Sequence, residues 1–180
     1  MTTLRHWERQ GQRRRPEPSA ACADSQRIKT AVQGIDVGFD GNKKVKGRKR
    51  HILVDTLGLI VAVVVPAAHT DERPGLVALL KRYCAAGVPR LRKIWVDGGY
   101  DAQWLRDWVR GLKQAHKIDR EVVEHTGKGF QVVKHRWKVE RTLAWLLNDR
   151  RHSRDYERLT ACSEAMIQIS MIRLVLKRLA

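Results

Sequence analysis

A valine-rich segment, residues 61–65, constrains the fold of this chain more than any other feature, because all five of its residues are apolar. A strand with one face in water alternates apolar and polar side chains, whereas a continuous apolar run is typical of a strand covered on both faces. Residues 55–58 supply turn chemistry between this run and residues 51–54, so the pair predicts a β-hairpin. Helices are therefore expected on both sides of the sheet.

Periodicity along the rest of the chain predicts further strands at 20–32, 93–96 and 120–124, and helices at 71–86, 101–114, 135–150 and 163–179. Glycines and cations over residues 34–50 predict an exposed loop. Residues 1–19 are polar, basic and interrupted by Pro16 and Pro18, which predicts an irregular basic lead-in before one domain over residues 20–180. The predicted class is α/β, a mixed β-sheet flanked by helices and followed by C-terminal helices.

The charge balance points to a polyanionic partner. Lys and Arg number 36 against 19 Asp and Glu, for a net charge of +17. Such an excess repels itself in the folded state, and nucleic acid is the partner that most often neutralises it. The alternative is a solvated basic surface on an unrelated enzyme.

Cysteine spacing and hydropathy exclude several other classes. Cys22, Cys84 and Cys162 are isolated, so zinc ribbons and redox dithiols are unsupported, and an odd number of separated cysteines suits a reducing cytoplasm. The longest apolar run, residues 57–68, is far shorter than the ~20 residues of a membrane span. A cytoplasmic protein without a membrane partner is expected.

Three acidic residues stand where chemistry is plausible. Asp97 ends an apolar strand and precedes two glycines, although Asp-Gly is also ordinary turn chemistry. Glu140 lies in a helix dense with cations, and pairing with them is its simplest explanation. Asp24 falls within a predicted strand, where Asp is disfavoured. Taken together, three carboxylates are the ligands that Mg²⁺ or Mn²⁺ requires, and a two-metal site supports phosphoryl transfer.

Four segments in order resemble the DDE transposases of bacterial insertion sequences, over nearly the whole of their catalytic domain. They are Asp24-Ser25-Gln26 with Lys29-Thr30, the segment from Lys44 to Gly58, Trp95-Val96-Asp97-Gly98-Gly99-Tyr100, and the segment from Arg136 to Leu146 with Arg150-Arg151 and Asp155-Tyr156-Glu157 after it. The resemblance implies an RNase H-like fold, with Asp24, Asp97 and Glu140 as the catalytic, metal-binding triad. It implies cleavage at transposon ends by water and attack of the freed 3′-hydroxyl on target DNA.

The resemblance also implies partners. Double-stranded DNA would be bound as transposon ends and as target, by a homodimer or by an assembly with the product of an upstream reading frame. Arg136, separated from Glu140 by three residues, would contact DNA. This chain departs from the family's wider signature at Val133 and Leu147, where a Tyr and a Lys or Arg are often found. Either Lys134 and Arg150 take over those phosphate contacts, or this copy is weakened.

Candidate DNA-binding cations fall into two groups. The basic run contributes Lys43, Lys44, Lys46, Arg48, Lys49 and Arg50, and the glutamate segment contributes Arg136, Arg141, Arg150 and Arg151. Such side chains would position the duplex without reading bases, and the alternative for the run is a solvated loop. Among the tryptophans, Trp137 is the candidate for a base contact, whereas Trp104, Trp108 and Trp145 are expected in the core.

Two other functions remain open from the sequence. One is a catalytically inactive, truncated transposase that binds DNA or inhibits transposition. The other is an unrelated basic binder, such as an RNA or ribosomal protein, which predicts that the three acids lie far apart.

Overall fold

The computed structural model describes residues 1–31, 34–86, 90–116, 118–123 and 135–179. Its strands are β1 Ala20–Lys29, β2 Gly38–Asp40, β3 Val45–Asp55, β4 Ile60–Val64, β5 Lys93–Val96 and β6 Asp119–Val122. Its helices are α1 Thr2–Gly11, α2 Glu72–Ala85, α3 Gln103–His116, α4 Trp137–Leu147 and α5 Thr160–Leu179, with 3₁₀ turns at Gly98–Tyr100 and Arg150–His152. Predicted site neighbours Val133 and Lys134 lie outside the described residues.

The strands form one mixed sheet in the order β2-β3-β1-β5-β6, with β4 also paired to β3. β3 is antiparallel to β1, β2 and β4, whereas β1, β5 and β6 run parallel. The predicted hairpin is confirmed as the β3–β4 pair, but β3 is much longer than expected. The change from antiparallel to parallel pairing occurs at β1, which lies in the middle of the sheet.

Side chains of β3 alternate between two cores, one on each face of the sheet. Leu53 joins Leu76, Leu79 and Leu105 in the core under α2 and α3. Ile52 and Val54 join Leu143, Ile167 and other residues in the core under α4 and α5. The sheet is therefore covered on both sides, as the apolar run predicts, and the mixed α/β class is confirmed.

The expectation of an exposed loop over residues 34–50 is wrong for its second half. Val45–Asp55 is a strand, and Arg48, Lys49 and Arg50 are among the most buried side chains of the protein. Arg48 donates to the backbone oxygens of Ile35, Glu157 and Arg158. Charge counting could not foresee this, because these cations find internal acceptors that lie up to 110 residues away along the chain. A buried cation cannot bind a DNA phosphate, so these three are withdrawn from the candidate DNA surface.

The expectation of an irregular segment over residues 1–19 is also wrong, because Thr2–Gly11 is helical. Three polar residues of α1 are buried, and Arg9 forms an ion pair with the fully buried Asp55 of β3. Arg5 donates to the backbone oxygen of Ile60 at 3.3 Å. These tertiary contacts stabilise a short helix whose sequence alone would be marginal.

We predict that Asp155→Ala destabilises the fold strongly. Its carboxylate lies 3.3 Å from the guanidinium of Arg48, both side chains are at most 2% exposed, and it accepts a hydrogen bond from Ser163. Removing one partner leaves an uncompensated buried charge, which lowers the free energy of unfolding by about 3–5 kcal/mol. Urea denaturation measures the change, and Asp107→Ala, which breaks an exposed ion pair with Arg110, is the matched control. Equal stability of the two variants would contradict this account.

Candidate active site

The pairing register of β1 and β5 places two of the three predicted acids, Asp24 and Asp97, at corresponding positions of neighbouring strands. In the parallel β1–β5 pair, Cys22 lies opposite Trp95. Asp24 and Asp97 each follow those partners by two residues. Because side chains two apart along a strand point to the same face, both carboxylates emerge on one side of the sheet at adjacent strands.

Asp97 occupies the turn that follows β5. Its carboxylate accepts a hydrogen bond from the backbone N–H of Gly99 at 3.0 Å and caps the 3₁₀ turn Gly98–Tyr100. A Cβ at position 99 would lie 3.1 Å from the Asp97 carboxylate, so a glycine keeps that side of the acid clear. Asp97 thus caps a turn and also presents its carboxylate at the sheet edge. The two interpretations offered by the sequence, a turn residue and a functional acid, are therefore compatible.

Helix α4 begins over this edge because His135, two residues before the helix, is anchored to both strands. The ring of His135 stacks on Trp95 of β5, with centroids 4.0 Å apart and planes at 12°. The Cys22 thiol of β1 donates to the backbone oxygen of His135 at 3.1 Å. His135 adopts φ 72°, a region that non-glycine residues rarely occupy, and these two contacts hold it there.

The side chain of Arg136 lies between two of the predicted acids. Its guanidinium is 3.8 Å from Oδ2 of Asp97 and 3.2 Å from Oε1 of Glu140. Its Nε is buried and has no hydrogen-bond partner among the described residues, so charge attraction holds the guanidinium without a well-aligned hydrogen bond. Glu140 is the most accessible of the three acids, with 54% of its side chain exposed.

The third acid shares the same electrostatic environment. The pKa of Asp24 is raised to about 6, mainly by burial; a hydrogen bond from the Ser25 N–H opposes the rise, the negative charges of Asp97 and Glu140 add to it, and the charge of Arg136 lowers it. The charges of Asp97 and Glu140 are therefore close enough to act on the ionisation of Asp24.

Tyr100 is a site neighbour that sequence reasoning left without a role. The tyrosine is fully buried, and burial followed by the charges of Asp24, Asp97 and Glu72 raises its pKa well above the usual value, while a side-chain hydrogen bond with Ser25 opposes the rise. A neutral phenol therefore lies next to the acids. Its position three residues after Asp97 was the available signal.

The donors fit a divalent cation in chemistry but not in present spacing. Within the described parts of the chain, no three His, Cys, Asp or Glu side chains are grouped closely enough to hold a metal ion. Carboxylate oxygens are the ligands that Mg²⁺ and Mn²⁺ prefer. Asp97 and Glu140 already attract one cation, because the guanidinium of Arg136 lies between them. This guanidinium balances the negative charges of the two carboxylates.

The other predicted DNA-binding cations differ in accessibility. Lys43, Lys44, Lys46, Arg150 and Arg151 are exposed. Arg141 is half-buried, because its guanidinium stacks on the rings of Trp137 and Trp145, 4.6 and 4.5 Å from their centroids, and donates to the backbone oxygen of Leu57.

The tryptophans follow the prediction only in part. Trp137 is 39% exposed at the start of α4, beside Arg136. Trp108 packs against the core as expected. Trp104 is 50% exposed, so its predicted place in the core is wrong. It lies in the first turn of α3, where a shared helical face with leucines does not ensure burial.

The topology and the acids together define an RNase H-like protein: antiparallel strands β4, β3 and β1 continue into parallel strands β5 and β6, with acids on β1, after β5 and on α4. The sequence profile of the transposase DDE domain family matches residues 15–175. The chain belongs to that family.

A curated relative carries a compatible name. The chain is 29% identical over 129 residues to a protein of Burkholderia cepacia whose name assigns it as a transposase for insertion sequence element IS402. The match covers 68% of this chain and 60% of the relative, so the chain spans about three fifths of that protein's length. In the described part of the chain, no helix has the length and apolar character needed to cross a membrane.

We predict that Asp24→Asn stabilises the metal-free protein at high pH. Because the folded-state pKa of Asp24 is raised to about 6, its ionisation disfavours the fold, and stability falls as pH rises from the unfolded-state pKa of about 4 through that value. The variant should exceed the wild type by roughly 3 kcal/mol at about pH 8 and nearly match it at about pH 4.

Urea denaturation at several pH values, without divalent metal, measures this effect. The exposed Asp107→Asn is the control and should show no such pH-dependent gain. A constant difference between Asp24→Asn and wild type across the range would contradict the assigned pKa.

Proposed function

We propose that this chain carries out DNA transposition: metal-dependent cleavage at insertion-sequence ends, followed by transfer of the freed strand into target DNA. Two observations support the proposal: the register of β1 and β5 brings Asp24 and Asp97 to one edge of the sheet, and the charges of Asp97 and Glu140 act on the pKa of Asp24. Family membership supports DNA as the substrate class.

In this proposal the three carboxylates hold Mg²⁺ or Mn²⁺, in a two-metal site. The ions supply charge stabilisation for the attacking and leaving oxygens of a phosphodiester. The chain supplies the positioning: β1 and β5 are hydrogen-bonded neighbours, and the anchored start of α4 brings Glu140 to them. Rigid strands and an anchored helix hold ligands more accurately than loops would.

Arg136 has two roles in the proposed site. In the DNA-free protein its guanidinium balances the charges of Asp97 and Glu140. When DNA is bound, a backbone phosphate offers the same guanidinium a stronger partner, because Arg and phosphate form charge-assisted hydrogen bonds of matched geometry. The guanidinium would then leave the carboxylates free to act as ligands.

Exposed cations would extend the DNA-binding surface beyond the site. Lys46 lies six residues along β3 from Ile52, which pairs with Asp24, a distance of about 20 Å at strand spacing. Lys43 and Lys44 lie in the adjacent turn, and Arg150 and Arg151 follow α4. Such contacts fix the position of a duplex and contribute salt-dependent affinity. Trp137, partly exposed beside Arg136, is the candidate contact for a base.

We propose that two copies act together on paired transposon ends in the bacterial cytoplasm. Binding to nucleoid DNA follows from the substrate. A partner encoded by an upstream reading frame is the other assembly that the family allows.

A catalytically inactive chain that binds DNA or inhibits transposition is the second candidate. One observation favours it: among the described residues, no three potential metal ligands are grouped closely enough to hold an ion. It shares every DNA-binding feature with the first proposal, so only chemistry separates the two.

We predict that the purified chain with Mn²⁺ joins a pre-nicked transposon end, bearing a free 3′-hydroxyl, to target DNA, and that Asp97→Asn abolishes the joining. DNA affinity should change little, because affinity depends on phosphate neutralisation. Gel analysis of joined products and a filter-binding titration measure the two quantities, with Asp107→Asn as the control. Binding without joining in the wild type would favour the inactive chain.

We predict that Arg136→Gln binds Mn²⁺ about tenfold more tightly than wild type in the absence of DNA, since no guanidinium then competes for Asp97 and Glu140. The same variant should bind DNA more weakly, with the salt dependence reduced by about one phosphate contact. Calorimetry measures the first quantity and salt titration the second. Arg136→Lys should retain most of the wild-type behaviour, and an unchanged Mn²⁺ affinity in Arg136→Gln would contradict the role assigned here.

A further inference from the structure

The outer face of α5 carries an apolar stripe that faces solvent. Its members share one side of the helix and are Cys162, Ala165, Ile169, Ile172, Leu176 and Leu179. Ile169 is 54% exposed, Leu176 50% and Leu179 41%. Every residue of α5 is described, and the stripe itself contains no charged side chain.

The opposite face of the same helix is already in the core. Ser163, Ile167, Met171 and Val175 are buried and recur every four residues. At about 100° per residue, these positions lie nearly opposite the stripe. A helix that is apolar on both sides is normally covered on both sides, so the stripe is an interaction surface and not a set of scattered surface residues.

The spacing of the stripe identifies the kind of partner. Its members are separated alternately by three and four residues, from Cys162 to Leu179. That is the heptad repeat of a coiled-coil seam, which packs against a second helix bearing the same repeat. A 20-residue helix, about 30 Å long, offers three such heptads.

We propose that α5 of one chain packs in parallel against α5 of a second copy, and that the stripe is the interface of a twofold dimer. A twofold interface uses the same patch on both subunits, and a heptad seam is self-complementary in this way. The proposal rests on the proposed function for the pairing of two copies and adds the surface through which they meet; it does not depend on the chemistry.

Charge favours a second copy at this face in particular. With a net charge of +17, most surfaces of two copies repel each other, but the stripe is uncharged. Its flanking positions are Gln168 and Arg173. In a parallel pair, Arg173 of one chain faces the neutral Gln168 of the partner subunit. Arg173 also lies 3.9 Å from Asp149 of its own chain, which further reduces repulsion.

The parallel orientation has a specific consequence at Cys162. This free, exposed cysteine occupies a seam position at the start of α5. Across a parallel twofold axis, each Cys162 faces the Cys162 of the partner subunit. An antiparallel pair would separate the two thiols by nearly the length of the helix.

Sedimentation equilibrium of the full chain, without DNA or metal, tests the dimer across a concentration series. Wild type should be dimeric, and the double variant Ile169→Asp with Leu176→Asp should be monomeric with unchanged circular dichroism, because both side chains are exposed. Trp104→Asp is the matched control: it removes an equally exposed apolar residue from the first turn of α3 and should remain dimeric.

Mild oxidation tests the orientation. Wild type should give a covalent dimer on a non-reducing gel, and Cys162→Ser should lose the cross-link while remaining dimeric in sedimentation. A monomeric wild type, or a dimer that survives both aspartate substitutions, would overturn the interface. A dimer sensitive to those substitutions but without the Cys162 cross-link would overturn the parallel arrangement. Because Asp97→Asn should dimerise normally, failure of the interface is distinguishable from failure of the proposed chemistry.

Discussion

The stack of His135 on Trp95 is the contact on which the rest of the candidate site depends. It joins α4 to β5, and the neighbouring bond from the Cys22 thiol joins α4 to β1. Trp95 and Cys22 each precede a predicted catalytic acid by two residues. The same contacts that anchor the helix therefore also set the positions of Arg136 and Glu140 relative to Asp97 and Asp24. Asp97 and Glu140, 43 positions apart in sequence, both approach the guanidinium of Arg136 through this docking, since it unites the central strands with the first helix of the C-terminal region.

The distribution of charge has two separate physical roles. Some cations are structural: Arg9, Arg48 and Arg50 lie inside the protein, where carboxylates and backbone oxygens satisfy them. Others are exposed and available to phosphates. The net charge alone does not distinguish the two groups, so it overstates the DNA-binding surface. Around the acids the sign is reversed, and Arg136 balances a local negative field that a bound metal would otherwise balance.

Local pattern was sufficient to predict most of the fold. The apolar run at 61–65 required a sheet covered on both faces, and the leucine spacing of α2 required a helix, and both are confirmed. The failures have a common cause. Residues 48–50 are cations inside a strand, and α1 is a short polar helix, and each is stabilised by partners distant in sequence. No local pattern contains that information.

The sequence was sufficient to propose the acids of the candidate site but not to predict their surroundings. Asp24, Asp97 and Glu140 were identified through a resemblance, and strand register brings the first two together independently of it. The position of Arg136 between two of these acids was not predictable, because it depends on a side-chain direction set by the docking of α4. Nor was the burial of Tyr100 beside Asp24 and Asp97, since it is visible only once the surrounding chain is folded.

Anomalous diffraction from crystals of the chain bound to DNA and Mn²⁺ tests the central claim most directly. We expect Mn²⁺ within about 2.0–2.6 Å of carboxylate oxygens from Asp24, Asp97 and Glu140, next to a phosphodiester, with the guanidinium of Arg136 moved onto a phosphate. Mn²⁺ absent from these three residues, or Arg136 still between Asp97 and Glu140 with DNA in place, would contradict it.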